Sequence, residues 1–435
     1  MPSKIMRSRG TGMAGHAAAR TSTVRLAVPS GVRLRFCLAL VVLLAASAGV
    51  GCHRGSPQPA GIGGAYYPPR PASPRIVHLT AIHPGNTFGR ERAPLARFLF
   101  GPDERDADGA GKPFGLTAAD GKLYVCDTQR RVVYVLDHVT RRRILLGEIG
   151  PGRLTKPVAV ATDEDGRVFV ADAGRGQVVV YSPTYEFRRS IGALDGRPFK
   201  PVDVAWHAGS LYVLNAYVHA GSMDTTEREG DFGSPSTVAD ATRGDDQTRS
   251  VGKIEVIDPS TGALLRTIEA GIAAPLFWPC GLAVAQDGRV LVTDVAACQV
   301  HVFAAEGGGS SSFGGPGDRA GRFARPRHLD VGPDGTLFVV DAAFGRVQMF
   351  DRQGRLLMSF GREDALADGG SLRDSPREPG ELVLPAGVCT DRSMLPEFAR
   401  FVPGGFTADY LIFVSDQAGR APVHVYAFGR SSEGK

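Results

Sequence analysis

One sequence phrase returns six times along this chain, and no other feature constrains the fold as tightly. Each copy contains a proline, a short apolar strand, a polar turn, a second strand ending in aspartate or asparagine, and a third strand. The first copy reads KPFGLTAADGKLYVCDTQRRVVYVLD, and the copies begin near residues 112, 156, 200, 278, 325 and 384. Self-similarity of this kind is typical of a repeat architecture.

The strands of each copy are rich in β-branched and aromatic residues and are joined by Asp-Gly-type turns, as in antiparallel hairpins. A fourth short strand follows the third in four copies, as ILLGEIG, EFRRSIG, LLRTIEA and LLMSFGR. Four strands at a spacing of roughly 45 residues describe one blade of a β-propeller. We therefore predict an all-β fold, a six-bladed β-propeller of four-stranded antiparallel blades.

The sixth copy lacks a fourth strand, whereas a spare strand, RIVHLTAI, lies before the first copy at residues 75–82. We predict that this N-terminal strand completes the last blade, because closure satisfies an otherwise open backbone edge. The propeller would then span residues 75–435, and deletion of residues 75–82 is expected to lower its stability sharply.

The acidic position at the end of the second strand lies 14 or 15 residues after the proline in five copies and 31 in the sixth. Six equivalent residues around a ring cannot all be catalytic. A short carboxylate or amide at a strand end accepts hydrogen bonds from backbone N–H groups of the following turn. We therefore interpret these residues as structural: Asp127, Asp172, Asn215, Asp294, Asp341 and Asp416.

The N-terminal region has the pattern of a secretory signal, in which a basic segment precedes the apolar run FCLALVVLLAASAGV at residues 36–50. About fifteen apolar residues are too few to span a bilayer comfortably. The following AGVGC resembles the lipobox of bacterial lipoproteins, although Gly49 stands where leucine is usual. This predicts a signal peptide at 1–51 and lipidation of Cys52, with a cleaved signal and an incidental cysteine as the alternative.

Residue 53 is histidine, which by resemblance to Gram-negative lipoprotein sorting implies the outer membrane. Residues 52–74 are rich in proline and glycine and predict a tether. The signal region holds seven of the fifty basic residues and no acidic one, which leaves 43 basic and 45 acidic side chains, a net charge of −2. The mature protein is therefore close to neutral, and its charge does not favour a nucleic-acid partner.

The combination of proline, DG turn, V-x-D strand end and V-x-V-F/Y strand resembles the NHL repeat, over roughly residues 76–430. With the lipoprotein signal and tether, the chain is similar to bacterial extracytoplasmic NHL propellers. That resemblance implies an accessory of surface machinery, including extracellular electron-transfer systems.

Enzymes also occur on this fold, so a catalytic site must be argued from residues. In the amidating lyase, which this chain resembles in its six NHL-type blades, histidines directly after the repeat prolines hold zinc. The corresponding residues here include no histidine: Phe114, Val158, Val202, Cys280, Arg327 and Ala386. We predict no metal site and no cofactor.

A polar cluster interrupts otherwise apolar innermost strands of three neighbouring blades, near one channel mouth. It comprises Asp203, Cys280, Arg327, His328 and Asp330. One interpretation is a small binding pocket. The other, which we favour, is an interblade ion pair of Asp203 or Asp330 with Arg327.

Cys280 and Cys298 lie on the same face of one blade, and an exported location permits a disulfide between them. The alternative is a set of buried free thiols. Long insertions at residues 216–252, 314–325 and 362–381 should project from the face of that channel mouth. A fourth insertion, 391–410, is the most aromatic and should expose apolar side chains to a partner on the opposite face.

The sequence therefore favours a non-catalytic, lipid-anchored binding scaffold over an enzyme. Its expected partners are the membrane, through the anchor, and an exported protein or cell-surface polymer, with no nucleic acid. The alternative is a propeller lyase or hydrolase with its site at the channel mouth.

Overall fold

The computed structural model of the protein describes residues 65–68, 72–88, 111–192, 199–217, 251–269, 275–305, 309–362, 379–418 and 423–431. The predicted signal peptide, Cys52 and most of the predicted tether lie outside these ranges. Within them the chain is almost entirely β-sheet, with a single short helix, α1 (Leu395–Phe398), and a 3₁₀ turn at Ala399–Phe401. No helix of the described ranges is long and apolar enough to cross a membrane.

Two strands precede the first repeat, β1 (Tyr66–Tyr67) and β2 (Ile76–Ile82). Blade 1 comprises β3 (Pro113–Ala119), β4 (Lys122–Asp127), β5 (Val132–Asp137) and β6 (Arg142–Leu146). Blade 2 comprises β7 (Pro157–Thr162), β8 (Val168–Asp172), β9 (Gln177–Tyr181) and β10 (Phe187–Ile191). Blade 3 comprises β11 (Pro201–His207), β12 (Ser210–Tyr217), β13 (Val251–Ile257) and β14 (Leu264–Glu269).

Blade 4 comprises β15 (Pro279–Val284), β16 (Val290–Asp294), β17 (Gln299–Phe303) and β18 (Ser310–Gly314). Blade 5 comprises β19 (Pro326–Val331), β20 (Leu337–Asp341), β21 (Arg346–Phe350) and β22 (Leu356–Gly361). Blade 6 comprises β23 (Pro385–Asp391), β24 (Phe406–Asp416) and β25 (Val423–Ser431), completed by β2. Every pairing within a blade is antiparallel, which confirms the predicted six-bladed propeller.

The N-terminal strand closes the ring as predicted. β2 pairs with β25 from Ile76↔Phe428 to Ile82↔Val423. Its side chains Ile76, Val77 and Leu79 are buried, and each such burial contributes roughly 1.5–3 kcal/mol. Closure therefore combines backbone pairing with apolar burial.

Part of the segment that composition placed in the tether belongs to the sheet. β1 pairs with β2 and becomes a fifth strand of blade 6. The Tyr67 ring is buried, and its hydroxyl donates to the Gly361 carbonyl at 3.0 Å. Proline-rich composition concealed this strand because one buried tyrosine, rather than an apolar alternation, holds it in place.

Blade 4 has a fourth strand that the sequence pattern did not indicate. β18 reads SSSFG and exposes its three serines, so it has no apolar alternation to recognise. It is held by regular pairing with β17, from Gln299↔Gly314 to Phe303↔Ser310. A strand at the outer edge of a blade can expose most of its side chains, because its backbone groups are satisfied by pairing with the neighbouring strand.

The core is divided into six hydrophobic clusters, one at each seam between neighbouring blades. The insertion at 391–410 joins the cluster between blades 6 and 1, where Met394, Phe398 and Phe406 are buried. Our expectation that this insertion exposes its apolar side chains was wrong. Its aromatic residues cover the sheet instead, with the Phe398 ring 5.8 Å from that of Phe413.

Each blade carries the same local device at the start of its innermost strand. The acidic or amide side chain ending the second strand accepts the backbone N–H of the residue before the repeat proline, at 2.8–3.1 Å in all six blades. The residue after the acid returns a backbone bond to the carbonyl of that pre-proline residue. We call this arrangement the latch, and the face of the ring that carries it the latch face; the opposite face is the turn face.

A one-residue bulge follows the latch proline in every blade. In blade 3 the pairing steps from Pro201↔Asn215 to Asp203↔Leu214, and the other innermost strands show the same shift. A bulge reorients the next side chains relative to a regular strand. It therefore decides which residues of the innermost strands face the channel.

Candidate functional site

The channel holds a cavity of about 170 Å³, lined by the middle and last residues of the six innermost strands. Its polar lining comes from His328 and Asp330 of blade 5, Trp206 of blade 3, and threonines Thr117 and Thr162 of blades 1 and 2. The other lining side chains are small or aliphatic. Two of the five residues of the predicted polar cluster therefore reach the cavity.

Asp203 lies on β11 and is 1% exposed. Its carboxylate accepts the backbone N–H of Leu282 in blade 4 at 2.7 Å, and its Oδ2 lies 3.3 Å from Nε2 of His328 in blade 5. Three consecutive blades thus meet at one carboxyl group. Burial raises the pKa of Asp203 to about 8, against the opposing effect of the N–H groups of Leu282 and Val204.

The His328 ring bridges Asp203 and the next blade. Its Nδ1 accepts the backbone N–H of Val388 at 3.4 Å, so its proton lies on Nε2, which faces Asp203. Burial lowers the pKa of His328 to about 4. The imidazole is therefore neutral near pH 7, with both ring nitrogens engaged.

Asp330 joins blades 5 and 6 in a similar way. Its Oδ2 accepts both the backbone N–H and the hydroxyl of Thr390, each at 2.7 Å. Burial raises the pKa of this carboxyl above its usual range. Thr390 was not among the residues that the sequence singled out, because a threonine at a strand end carries no pattern of its own.

Arg327 does not pair with Asp203 or Asp330, so the expected ion pair was wrong. Its guanidinium lies 5.3 Å from the centre of the Phe114 ring of blade 1, and Nη1 donates to Gln417 Oε1 at 3.3 Å. The bulge after the proline separates the directions of Arg327 and His328. Arg327 therefore contacts blades 1 and 6, and His328 lies beside Asp203 in the place where Arg327 was expected.

Cys280 and Cys298 are free thiols, so the alternative to the possible disulfide between them holds. The Cys280 sulfur donates to the Arg327 carbonyl at 2.9 Å, toward blade 5. The Cys298 sulfur donates within its own turn, to the Val295 carbonyl at 3.4 Å. Burial raises the pKa of Cys280 to about 12, so its thiolate is scarce at neutral pH.

Among the described residues, no group of three or more histidine, cysteine, aspartate or glutamate side chains is placed to hold a metal ion. The remaining candidate residues lie in the latches described above. The sequence analysis did not identify the backbone N–H groups of Leu282 and Val388, which Asp203 and His328 accept. Every residue except proline has a backbone N–H, so no residue pattern indicates which one a side chain of another blade will contact.

Comparison with known proteins does not assign the chain to a family. No family model matches it. Over 196 residues, 38% of this chain, it is 28% identical to Protein SUPPRESSOR OF QUENCHING 1, chloroplastic, of Arabidopsis thaliana. The match spans 18% of that protein, so the chain corresponds to a minor part of its length.

Solved structures of similar architecture include two enzymes. A gluconolactonase from Xanthomonas campestris has a TM-score of 0.48 and 14% identity, covering 73% of this chain and 86% of that one. Virginiamycin B lyase from Staphylococcus aureus has a TM-score of 0.46 and 12% identity, covering 74% and 96% respectively. The six-bladed assignment itself rests on the strand pairings of this chain.

Proposed function

We propose that this protein is a non-catalytic NHL-type propeller that acts as a lipid-anchored binding scaffold at the cell envelope. One observation carries the proposal. The buried acids and the histidine at the channel, Asp203, Asp330 and His328, are engaged with one another or with the backbone of the next blade, so they join the ring together. Contacts of this kind, between blades, are typical of residues that stabilise the fold.

A general base needs a free lone pair within reach of the proton that it removes. The Nδ1 lone pair of His328 accepts the Val388 N–H, and Nε2 carries the proton facing Asp203. A nucleophilic cysteine needs a lowered pKa, whereas burial raises that of Cys280. The two groups best suited to catalysis by residue type are thus occupied or inert.

The anchor and the location rest on the signal pattern and on Cys52, which lie outside the described residues. The described part supports a mechanical role for the predicted tether. The chain enters the ring through β1 and β2, where Tyr67 is hydrogen-bonded to the Gly361 carbonyl and β2 pairs along β25. A pull on the tether would therefore be carried by the blade 6 sheet.

The proposed partner is an exported protein or a cell-surface polymer, in a surface or electron-transfer assembly, as the NHL resemblance implies. The repeated latch supports the NHL assignment, since it gives the recurring proline and acid a common structural role. A rigid ring with elaborated loops is a suitable platform for binding.

Metal titration tests the non-catalytic proposal against a channel lyase or hydrolase. The purified protein and a His328→Gln variant would be dialysed against Zn²⁺ and Ca²⁺, and bound metal measured by elemental analysis. We expect less than one tightly bound ion per chain and no difference between the two proteins. One ion per wild-type chain that is lost in the variant would contradict the proposal.

A further inference from the structure

The residues before the six latch prolines form a ring around the latch-face mouth. Each has its backbone held twice, by its N–H donated to the latch acid or amide and by its carbonyl accepting the returning N–H. Because the latch is the same in each blade, these residues take equivalent positions at successive points of the ring. They are Lys112, Lys156, Lys200, Trp278, Arg325 and Leu384.

Three consecutive blades carry lysine at this position, and all three lysines are exposed. The latch thus places three exposed lysines at equivalent backbone positions of neighbouring blades 1 to 3. A repeat that varies this position freely, to tryptophan and leucine elsewhere, does not need lysine for its fold. The lysines are therefore surplus to the structural role of the latch.

Arginines enlarge this basic surface in blades 1 and 2. We define the lysine face as Lys112, Lys156 and Lys200 together with Arg130, Arg131, Arg153 and Arg175. Among the described residues at the latch face of these two blades, Glu148 is the single exposed acid. The latch carboxylates Asp127 and Asp172 are buried and occupied by backbone N–H groups.

The turn face differs in that acids and bases alternate there. Arg167 pairs with Asp163, Arg289 with Asp287 and Arg355 with Asp351. Mixed pairs of this kind leave little net potential, whereas a surface of one sign attracts polyanions and releases their counterions. Among the described residues, the uneven charge therefore belongs to the latch face of blades 1 to 3, whereas the mature part as a whole is close to neutral.

We propose that the lysine face binds an acidic polysaccharide through its carboxylates, which names a partner for the scaffold and rests on the proposed function. Lysine ammonium groups suit scattered single carboxylates, since each is a compact point charge. Trp278, at the same latch position in blade 4, is 40% exposed and offers an aromatic surface to a sugar ring. Single-stranded nucleic acid is bound by stacking successive bases on several aromatic side chains, and one tryptophan does not provide this. The predicted export signal would also separate the protein from nucleic acid inside the cell.

The experiment uses fluorescent polygalacturonate oligomers, with dextran as the neutral polymer and single-stranded DNA as the other polyanion. Anisotropy would be measured at low salt and at about 0.15 M NaCl. The test variant is Lys112→Gln/Lys156→Gln/Lys200→Gln. The matched control, Arg142→Gln/Arg188→Gln/Arg392→Gln, removes three exposed charges at the turn face. Unfolding curves of both variants establish that the ring is intact.

We expect wild-type binding to polygalacturonate that weakens with salt, a loss of affinity of about tenfold in the lysine variant, and little change in the control. Trp278→Ala should weaken binding further without changing its salt dependence. Absence of binding at low salt, equal losses in both triple variants, or tighter binding of DNA would each overturn the inference. Cleavage of the bound polymer would contradict the non-catalytic function while leaving the lysine face intact, so the two failures are distinguishable.

Discussion

Five of the six seams between blades are built in one of two ways, which differ in the residue two positions after the latch proline; blade 2 has Ala159 at that position. Blades 1, 4 and 6 have glycine there, and a Cβ on Gly115, Gly281 or Gly387 would lie 2.4–2.5 Å from a carbonyl oxygen of the next blade. Blades 3 and 5 have Asp203 and His328 at the same position. These two side chains accept an N–H of the next blade instead.

The partners of the two kinds of seam are complementary. In two glycine seams, a hydroxyl at the end of the second strand donates to the carbonyl that the glycine allows to approach: Thr293 to Arg327 at 2.5 Å and Ser415 to Phe114 at 2.6 Å. In the two seams of blades 3 and 5, Asp203 and His328 accept an N–H three residues after the next proline, and we call these the acceptor seams. The comparison teaches that buried backbone groups at a seam must be paired, by a donor or by an acceptor.

The largest loss of stability is expected where a side chain is added at a glycine seam, that is, a seam with glycine two positions after the latch proline. Gly281→Ala places a Cβ 2.5 Å from the Arg327 carbonyl oxygen and 2.6 Å from the Thr293 hydroxyl. The two backbones must separate, which should lower the free energy of unfolding by about 1–3 kcal/mol. Urea denaturation measures this. The matched control is Gly404→Ala, whose added Cβ meets nothing within 4 Å; equal curves for both variants would refute close approach as the reason for glycine.

The acceptor seams should respond to loss of the acceptor and to pH. Asp203→Ala leaves the Leu282 N–H unpaired and should lower the free energy of unfolding by about 1–3 kcal/mol. Asp203→Asn keeps an acceptor oxygen and should cost less near neutral pH, because the wild-type carboxyl with a pKa of about 8 is already largely protonated there.

Because folding raises the pKa of Asp203, its contribution is fully present below the unfolded pKa of about 4 and is lost as the pH rises through about 8. Folding lowers the pKa of His328, whose contribution is present above about 6.5 and is lost as the pH falls through about 4. Stability measured from pH 4 to 9 should therefore decline less at high pH in Asp203→Asn, and less at low pH in His328→Gln. Parallel profiles for wild type and both variants would contradict the assignment.

The smallest effect should come from the hydroxyl donors. Thr293→Val removes one hydrogen bond to a carbonyl of the next blade and should cost about 1 kcal/mol. Ser415→Ala removes the equivalent bond and also the acceptor of the Gly387 N–H, so it should cost about 1–2 kcal/mol. Cys126→Ala is the comparison in the remaining glycine seam, where no hydroxyl is present at the equivalent position. Thermal unfolding of the three variants would show whether the hydroxyl adds stability beyond the close backbone approach; equal losses would argue that it does not.

The sequence indicated most of the residues of the candidate site, but few of the contacts that these residues make. Asp203, His328 and Asp330 stood out because polar side chains interrupted apolar strands. The choice of His328 over Arg327 as the neighbour of Asp203 depended on the bulge after Pro326, which the strand pairing shows and the alternation of residues along the strand does not. The thiols of Cys280 and Cys298 point to different carbonyls for the same reason, that local backbone direction decides which groups meet.

The sequence by itself determined the number of blades, the closing strand and the fourth strands of all blades but blade 4, because each follows from local patterns repeated along the chain. Tertiary structure alone decided how neighbouring blades are joined. A seam pairs a side chain of one copy with a backbone group of the next, and that partner is set by ring geometry and bulges. The latch depends on both sequence and tertiary structure. Its acids recur in the sequence, and the closed ring places the three lysines on one face.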